Sequence, residues 1–150
     1  MVEKEIEVFI ECIENYFSKR SDEKIIIEAP FLTKSLKKTL SDYTGIISIS
    51  GAYKGNIYFT APQDFVKRLI VAHGQDDFSD DLMQDTVGEV TNTLSGNARR
   101  DLGSDFVISV PNVMYGKLQP IELTRGARSY VVPLTWHNCH AAMVVSVYKV

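Results

Sequence analysis

Cysteine is almost missing from this chain. Cys12 and Cys139 are the only two in 150 residues, and they lie far apart. Both read as reduced thiols, which excludes a disulfide-stapled secreted scaffold. An excess of positive charge is also lacking: 16 Lys and Arg stand against 19 Asp and Glu, for a formal net charge of −3. A dedicated nucleic-acid binder usually carries a strong basic surplus, so that class is set aside. No apolar run approaches the ~20 residues that a membrane span requires. The opening MVEKEIEVF has acids where a secretory leader carries bases, and so predicts a cytoplasmic protein. No P-loop and no G-x-G-x-x-G is present, against the nucleotide-binding classes. With no low-complexity tract and no Gly/Ser-rich linker, residues 1–150 are expected to form one domain.

What the chain does have is periodic hydrophobicity. Between residues 2 and 20, Ile6, Phe9, Ile10, Ile13, Tyr16 and Phe17 recur at three- and four-residue spacing and predict a core-facing helix. KIIIEA, residues 24–29, reads as a strand closed by Pro30. The lysines of FLTKSLKKTLSDYTG fall on an edge strand or in a solvated loop. IISIS and GNIYFT around GAYK read as a hairpin. Pro62 and Gly74 bracket a second helix, QDFVKRLIVAHG. A long helix is expected from about Asp80 to Leu102, closed by Gly103. Beyond it FVISVPNVMYG, IELTR, RSYVVPLTW and AAMVVSVYKV alternate as strands of an antiparallel sheet. The expected fold is α+β: an antiparallel β-sheet with long helices packed on it. Its halves, each a long helix followed by three or four strands, can be set against each other as a degenerate internal repeat.

The long helix is odd on one face. Met83, Val87, Val90, Leu94, Ala98 and Leu102 form a narrow apolar stripe, while Asp85, Glu89, Asn92, Gly96 and Arg99 cluster roughly opposite. Glu89, Asn92 and Gly96 should be neighbours along one exposed ridge. Glycine inside an exposed helix costs about 1 kcal/mol relative to alanine. Asparagine prefers caps and turns to helix interiors. Two readings follow. Either Gly88 or Gly96 packs beneath another element with Glu89 solvated, or the ridge meets a second surface that needs the missing Cβ.

GEVTNTLSGNARRDL resembles the CheX branch of the CheC/CheX/FliY phosphatases, whose mark is E-x-x-N followed by x-x-x-G on a long surface helix. The likeness continues in EVFIECIENYF, in ISISGAYKGNIYF with the helix ending in HG, and in SVPNVMYG, in the family's order. The resemblance implies removal of the phosphoryl group from the phospho-aspartate of a CheY-like response regulator. An acyl phosphate is already activated, so its hydrolysis needs an in-line water and charge neutralisation. A carboxamide both accepts from and donates to water, which suits Asn92 for orienting it. Glu89 would dock the receiver by pairing with a lysine there, Gly96 would leave it room, and Asp85 and Arg99 would join the docking surface. Mg2+ would come with the receiver, so no cofactor and no metal site of its own is implied. A homodimer joined through sheet edges is implied as well. CheC-like relatives carry two motifs; here Glu11 and Asn15 are four apart instead of three, which leaves one site. The alternative is a noncatalytic module that binds a receiver or a motor-switch partner by the same ridge. A structural domain with a vestigial motif is a third reading, which a poorly accessible helix face would favour.

Other constellations read as structural. If WHNCH lies on a strand, His137 and Cys139 face one side and His140 the other, which argues against shared zinc ligation. Asp76, Asp77, Asp80 and Asp81 lack EF-hand spacing and suit a helix N-terminus. His73 before Gly74 reads as a helix C-terminal residue, and Trp136 and the tyrosines as packing residues.

Overall fold

The computed structural model describes residues 3–117 and 121–150. The stripe predicted for the first helix is the face that α1 (Glu3–Ser18) buries: Ile6, Phe9, Ile13, Tyr16 and Phe17 are buried and Ile10 half-buried. The expected start at Val2 lies outside the described residues. Phe17 reaches an aromatic cluster, with ring centroids 5.0 Å from Trp136 and 5.8 Å from Phe65. Edge-to-face geometry of this kind adds to the area burial of the rings.

The chain continues through β1 (Ile26–Ile27), β2 (Phe31–Thr33), β3 (Tyr43–Gly51) and β4 (Tyr53–Ala61) to α2 (Gln63–Ala72) and α3 (Asp80–Leu102). Then come β5 (Phe106–Ile108), β6 (Asn112–Tyr115), β7 (Ser129–Trp136) and β8 (Cys139–Lys149). All strand pairs are antiparallel, in the order β1-β7-β8-β4-β3-β5, with β2 also on β7 and β6 also on β3. The fold is thus α+β, an antiparallel sheet carrying helices, as the residue pattern predicts.

The internal repeat is visible in this topology. Each half runs helix, two short strands, long hairpin, with α2 between the halves. The short strands do not pair with their own hairpin. β1 and β2 lie on β7 of the second half, and β5 and β6 lie on β3 of the first. β4 and β8 meet at the centre, with Ile57 opposite Val145.

Alternation along the strands divides the apolar residues between two faces. Ile57, Phe59, Met143, Val145 and Val132 join the helices in the main core. Tyr58, Val131, Ala142 and Val144 face the other way, under Leu36, Leu40, Ile121 and Leu123. IELTR, residues 121–125, is therefore not the strand its pattern suggests. It lies without regular structure over this second face, and its backbone is satisfied by side chains: Tyr58 donates to the Glu122 carbonyl at 2.7 Å, and Thr124 N donates to Ser146 Oγ at 2.8 Å. A covering segment needs one apolar side as much as a strand does, so alternation alone could not tell them apart. The lysine-rich stretch satisfies both of its readings. β2 is an edge strand, and beyond it Lys34, Lys37 and Lys38 are exposed while Leu36 and Leu40 turn inward. The hairpin is tighter than GAYK suggests, because β3 runs to Gly51 and β4 begins at Tyr53, with Gly51 at φ +90°.

One contact sets the height of α3 above the sheet. A Cβ on Gly45 of β3 would overlap the Thr91 hydroxyl and lie 3.3 Å from the Val87 carbonyl oxygen. Thr91 satisfies that hydroxyl within its own helix, donating to Val87 O at 2.7 Å.

Gly45→Ala should therefore force the helix off the strand and cost about 1–3 kcal/mol, the usual range for overpacking, read as a lowered urea midpoint. Burial pushes the hydroxyls of Tyr16 and Tyr58 up from 10.0 to about 12. A raised tyrosine favours the folded state fully below its unfolded value. Stability should accordingly hold up to about pH 10 and fall as pH rises toward 12, measured by denaturant melts at stepped pH.

Candidate functional site

α3 is fastened at both ends. Ser79 caps it, its Oγ accepting from Leu82 N at 3.3 Å, and Asp77 Oδ1 in turn accepts from Ser79 N at 2.9 Å. Asp80 and Asp81 occupy the first turn and Arg99 and Arg100 the last, matching the helix dipole at both ends. Asp80 also accepts from Tyr43 Oη at 2.8 Å, which ties the helix start to β3. At the far end Gly103, at φ +105°, donates to Arg99 O at 2.9 Å.

The apolar stripe is buried as expected, except that Leu102 is only half-buried. Flanking it are Thr86, Thr91 and Ser95, also buried, the two threonines bonded back to Leu82 and Val87 carbonyls. On the opposite side Asp85, Glu89, Asn92 and Arg99 are exposed and Gly96 is half-buried. The side chains of Glu89 and Asn92 hydrogen-bond to no other described residue, so both are open to an incoming group.

An open groove of about 620 Å3 runs between this face and the connection from β5 to β6. Gln84, Asp85, Gly88, Glu89 and Asn92 line it from the helix; Ile108, Val110, Pro111 and Val113 form an apolar wall opposite. Among the described residues, the lining holds two carboxylates, a carboxamide pair and no cation. The structure thus brings Asp85, Glu89 and Asn92 together. Gly96 lies one turn beyond the lining, and Arg99 turns away, its Nη2 donating to Ser104 O at 3.2 Å. The apolar wall is what sequence reading missed. Its signal was Pro111 inside an alternating run, since proline in a strand pattern marks an edge or a bulge.

The two helix glycines prove different. A Cβ on Gly88 would come 3.3 Å from Val113 Cγ2, so this glycine packs beneath the wall of its own chain. A Cβ on Gly96 would meet only Ile108 Cδ1, at 4.0 Å, an ordinary contact. Nothing within the described residues requires glycine there.

The remaining candidates lie elsewhere. His137 and Asn138 form the two-residue turn between β7 and β8, both at positive φ. His137 points toward Ser21 and Glu23, and His140 pairs with Thr135 Oγ1 at 2.9 Å, while Cys139 is buried. No group of three or more His, Cys, Asp or Glu among the described residues is arranged to hold a metal ion. Burial, with Asp101 adding to it, pushes the Cys12 thiol up to about 11, so it is no ready nucleophile. His73 closes α2 and accepts from Arg20 Nε at 3.2 Å. A larger groove, about 890 Å3, lies over the second sheet face, bordered by Lys34, Lys37, Lys117 and Arg125. Its described lining residues include no carboxamide, and the chemistry argued from the motif belongs to the smaller groove. No helix among the described residues is long and apolar enough to cross a membrane.

Comparison with known proteins bears on the same helix. The profile of the family described as chemotaxis phosphatase CheX matches residues 43–135, a span that contains all of α3. Among curated proteins no sequence match is found. Several solved structures share the fold. A CheC-like superfamily protein from Shewanella sp. PV-4 aligns with a TM-score of 0.87 at 22% identity, covering 99% of this chain and 100% of that one. A chemotaxis protein CheX from Desulfovibrio desulfuricans aligns at 0.82 and 21%, covering 98% and 99%. A CheX chain from Borrelia burgdorferi, solved in complex with CheY, BeF3 and Mg2+, aligns at 0.77 and 21%, covering 96% and 97%.

Gly96→Ala should keep the fold and stabilise it by up to about 1 kcal/mol, the difference in helix propensity. Urea unfolding of the two proteins measures it, and a loss of stability would mean that the glycine serves the chain's own packing.

Proposed function

Because the chain belongs to the chemotaxis phosphatase CheX family, we propose that it hydrolyses the phospho-aspartate of a CheY-like response regulator, using Asn92 and Glu89. One observation carries the reading: these two side chains stand exposed and unengaged, one turn apart, on the rim of a single open groove. A motif covered by its own chain could not reach a receiver.

In this reading the receiver lays its phosphorylated aspartate over α3. The Asn92 carbonyl accepts from a water while its NH2 donates, fixing the water in line with the bond to the leaving aspartyl oxygen. Glu89 pairs with a receiver lysine and so sets how far the amide enters. Gly96, with no Cβ, lets the receiver approach, and Asp85 borders the contact. Arg99, turned toward Ser104, would have to swing to take part. Positioning of this kind can lower a barrier by several kcal/mol without a nucleophile in this chain. Mg2+ is expected from the receiver; the similar Borrelia chain was solved with CheY together with Mg2+ and BeF3, a stand-in for a phosphoryl group. The whole chain is proposed to act as one cytoplasmic domain. A homodimer through the sheet edge is consistent with Ile26, Phe31 and Leu32, which are exposed on β1 and β2.

The test follows the decay of a phosphorylated CheY-like receiver with Mg2+ in buffer, with the wild-type protein and with variants. Asn92→Ala should slow catalysed decay on the order of a hundredfold while binding persists. Glu89→Ala should weaken both binding and turnover. Equal decay with wild type and Asn92→Ala would sink the mechanism. Binding without any acceleration would make the chain a noncatalytic receiver-binding module.

A further inference from the structure

Val110 is the most exposed of the large hydrophobic residues described, at 84%. Leaving such a side chain in water forgoes the stabilisation that burying it would bring. Its position is not that of a loose loop. Ile108 pairs with Ile49 and Asn112 with Ile46, so the register advances three residues on β3 while the opposite strand advances four. One residue is extra, and the strand bulges there. The bulge resets the alternation: Ile108 and Val113 both pack toward the core under α3, though they are an odd number of residues apart.

The bulge is closed by hydrogen bonds. Ser109 N donates to Ser48 O at 3.0 Å, and Ser48 N donates to Ser109 Oγ at 2.9 Å. Ser109 Oγ donates onward to Val110 O at 3.1 Å. Pro111 follows, with its φ fixed and no N–H to satisfy. Val110 is thus held outward on a rigid support, across the groove from Glu89 and Asn92. A bulge can re-aim a side chain beside an active site.

Resting on the function proposed above, we infer that Val110 is a docking residue for the receiver, packing against it beside its phospho-aspartate. The occupant that fits is the phosphorylated, Mg2+-loaded receiver. A groove with two carboxylates, no cation and an apolar wall suits a surface with an apolar patch next to positive charge. Val110 and Glu89 then grip the receiver from the two sides of the groove, and Asn92 is aimed between them. The apolar contact is made in ground state and transition state alike, so its loss should raise KM more than it lowers kcat.

The experiment compares wild type, Val110→Ser and Val110→Ile, with the receiver concentration varied. Val110→Ser should raise KM roughly five- to tenfold with kcat within about twofold, and Val110→Ile should restore KM. Melting should be unchanged in both, because the side chain is exposed. A wild-type KM in Val110→Ser would overturn the inference even with the phosphatase intact. If the wild type accelerates no decay, the proposed activity fails by itself, and binding to the beryllofluoride-activated, Mg2+-loaded receiver decides about Val110. Binding weakened by the same factor in Val110→Ser keeps the contact; equal binding, or none by the wild type, removes it.

Discussion

Gly45 and Thr91 meet where a strand and a helix come closer than side chains normally allow. The absent Cβ on β3 admits the threonine hydroxyl, and the helix returns that hydroxyl to its own Val87 carbonyl. With Thr91 and Val87 both turned inward, the 100° step per residue leaves Glu89 roughly opposite them and Asn92 about a third of a turn away, both toward solvent. The same close seating lowers the neighbouring Gly88 against Val113 and gives the groove its floor. The aim of the ridge thus depends on a glycine that lies in the sheet, far in sequence from the residues it orients.

Sequence reading recovers much of this and fails in instructive places. The long helices were legible because their stripes are strong and their ends are punctuated, by Ser79 and Gly103 for α3. The face was legible because an amide in mid-helix and a nearby glycine are locally unfavourable, but it was the resemblance to the CheX branch that singled out Glu89 and Asn92 on it. The segment at 121–125 misled because alternation reports which side is buried and not which partner satisfies the backbone. Thr91 had no explanation from the helix alone, since its reason is Gly45. The bulge at Ser109 and Val110 was out of reach for the same kind of cause: it exists only in relation to the register of β3.

The two grooves divide the surface by charge. Over the second sheet face the described border is mainly basic, with Lys34, Lys37, Lys117 and Arg125 against Glu122. Around α3 it is acidic and amide-bearing. The net charge of −3 conceals this split, and it gives the molecule an orientation in the field of any charged partner before contact is made. A fold shared with other chemotaxis proteins does not by itself say what a chain does. What bears on function is the exposed pair on α3 and its sidedness.

The exchange of short strands between the halves has a consequence for how the chain is born. β1 and β2 cannot find their places until β7 exists, and Ile26 pairs with Thr135. At ribosomal rates of about 5–20 residues per second, that partner emerges on the order of ten seconds later. During the interval Ile26, Phe31 and Leu32 have no sheet to join. Neither half can complete the sheet alone, so folding is committed only once β7 and β8 have emerged. Until then these unpaired apolar strands are a template for association with other chains.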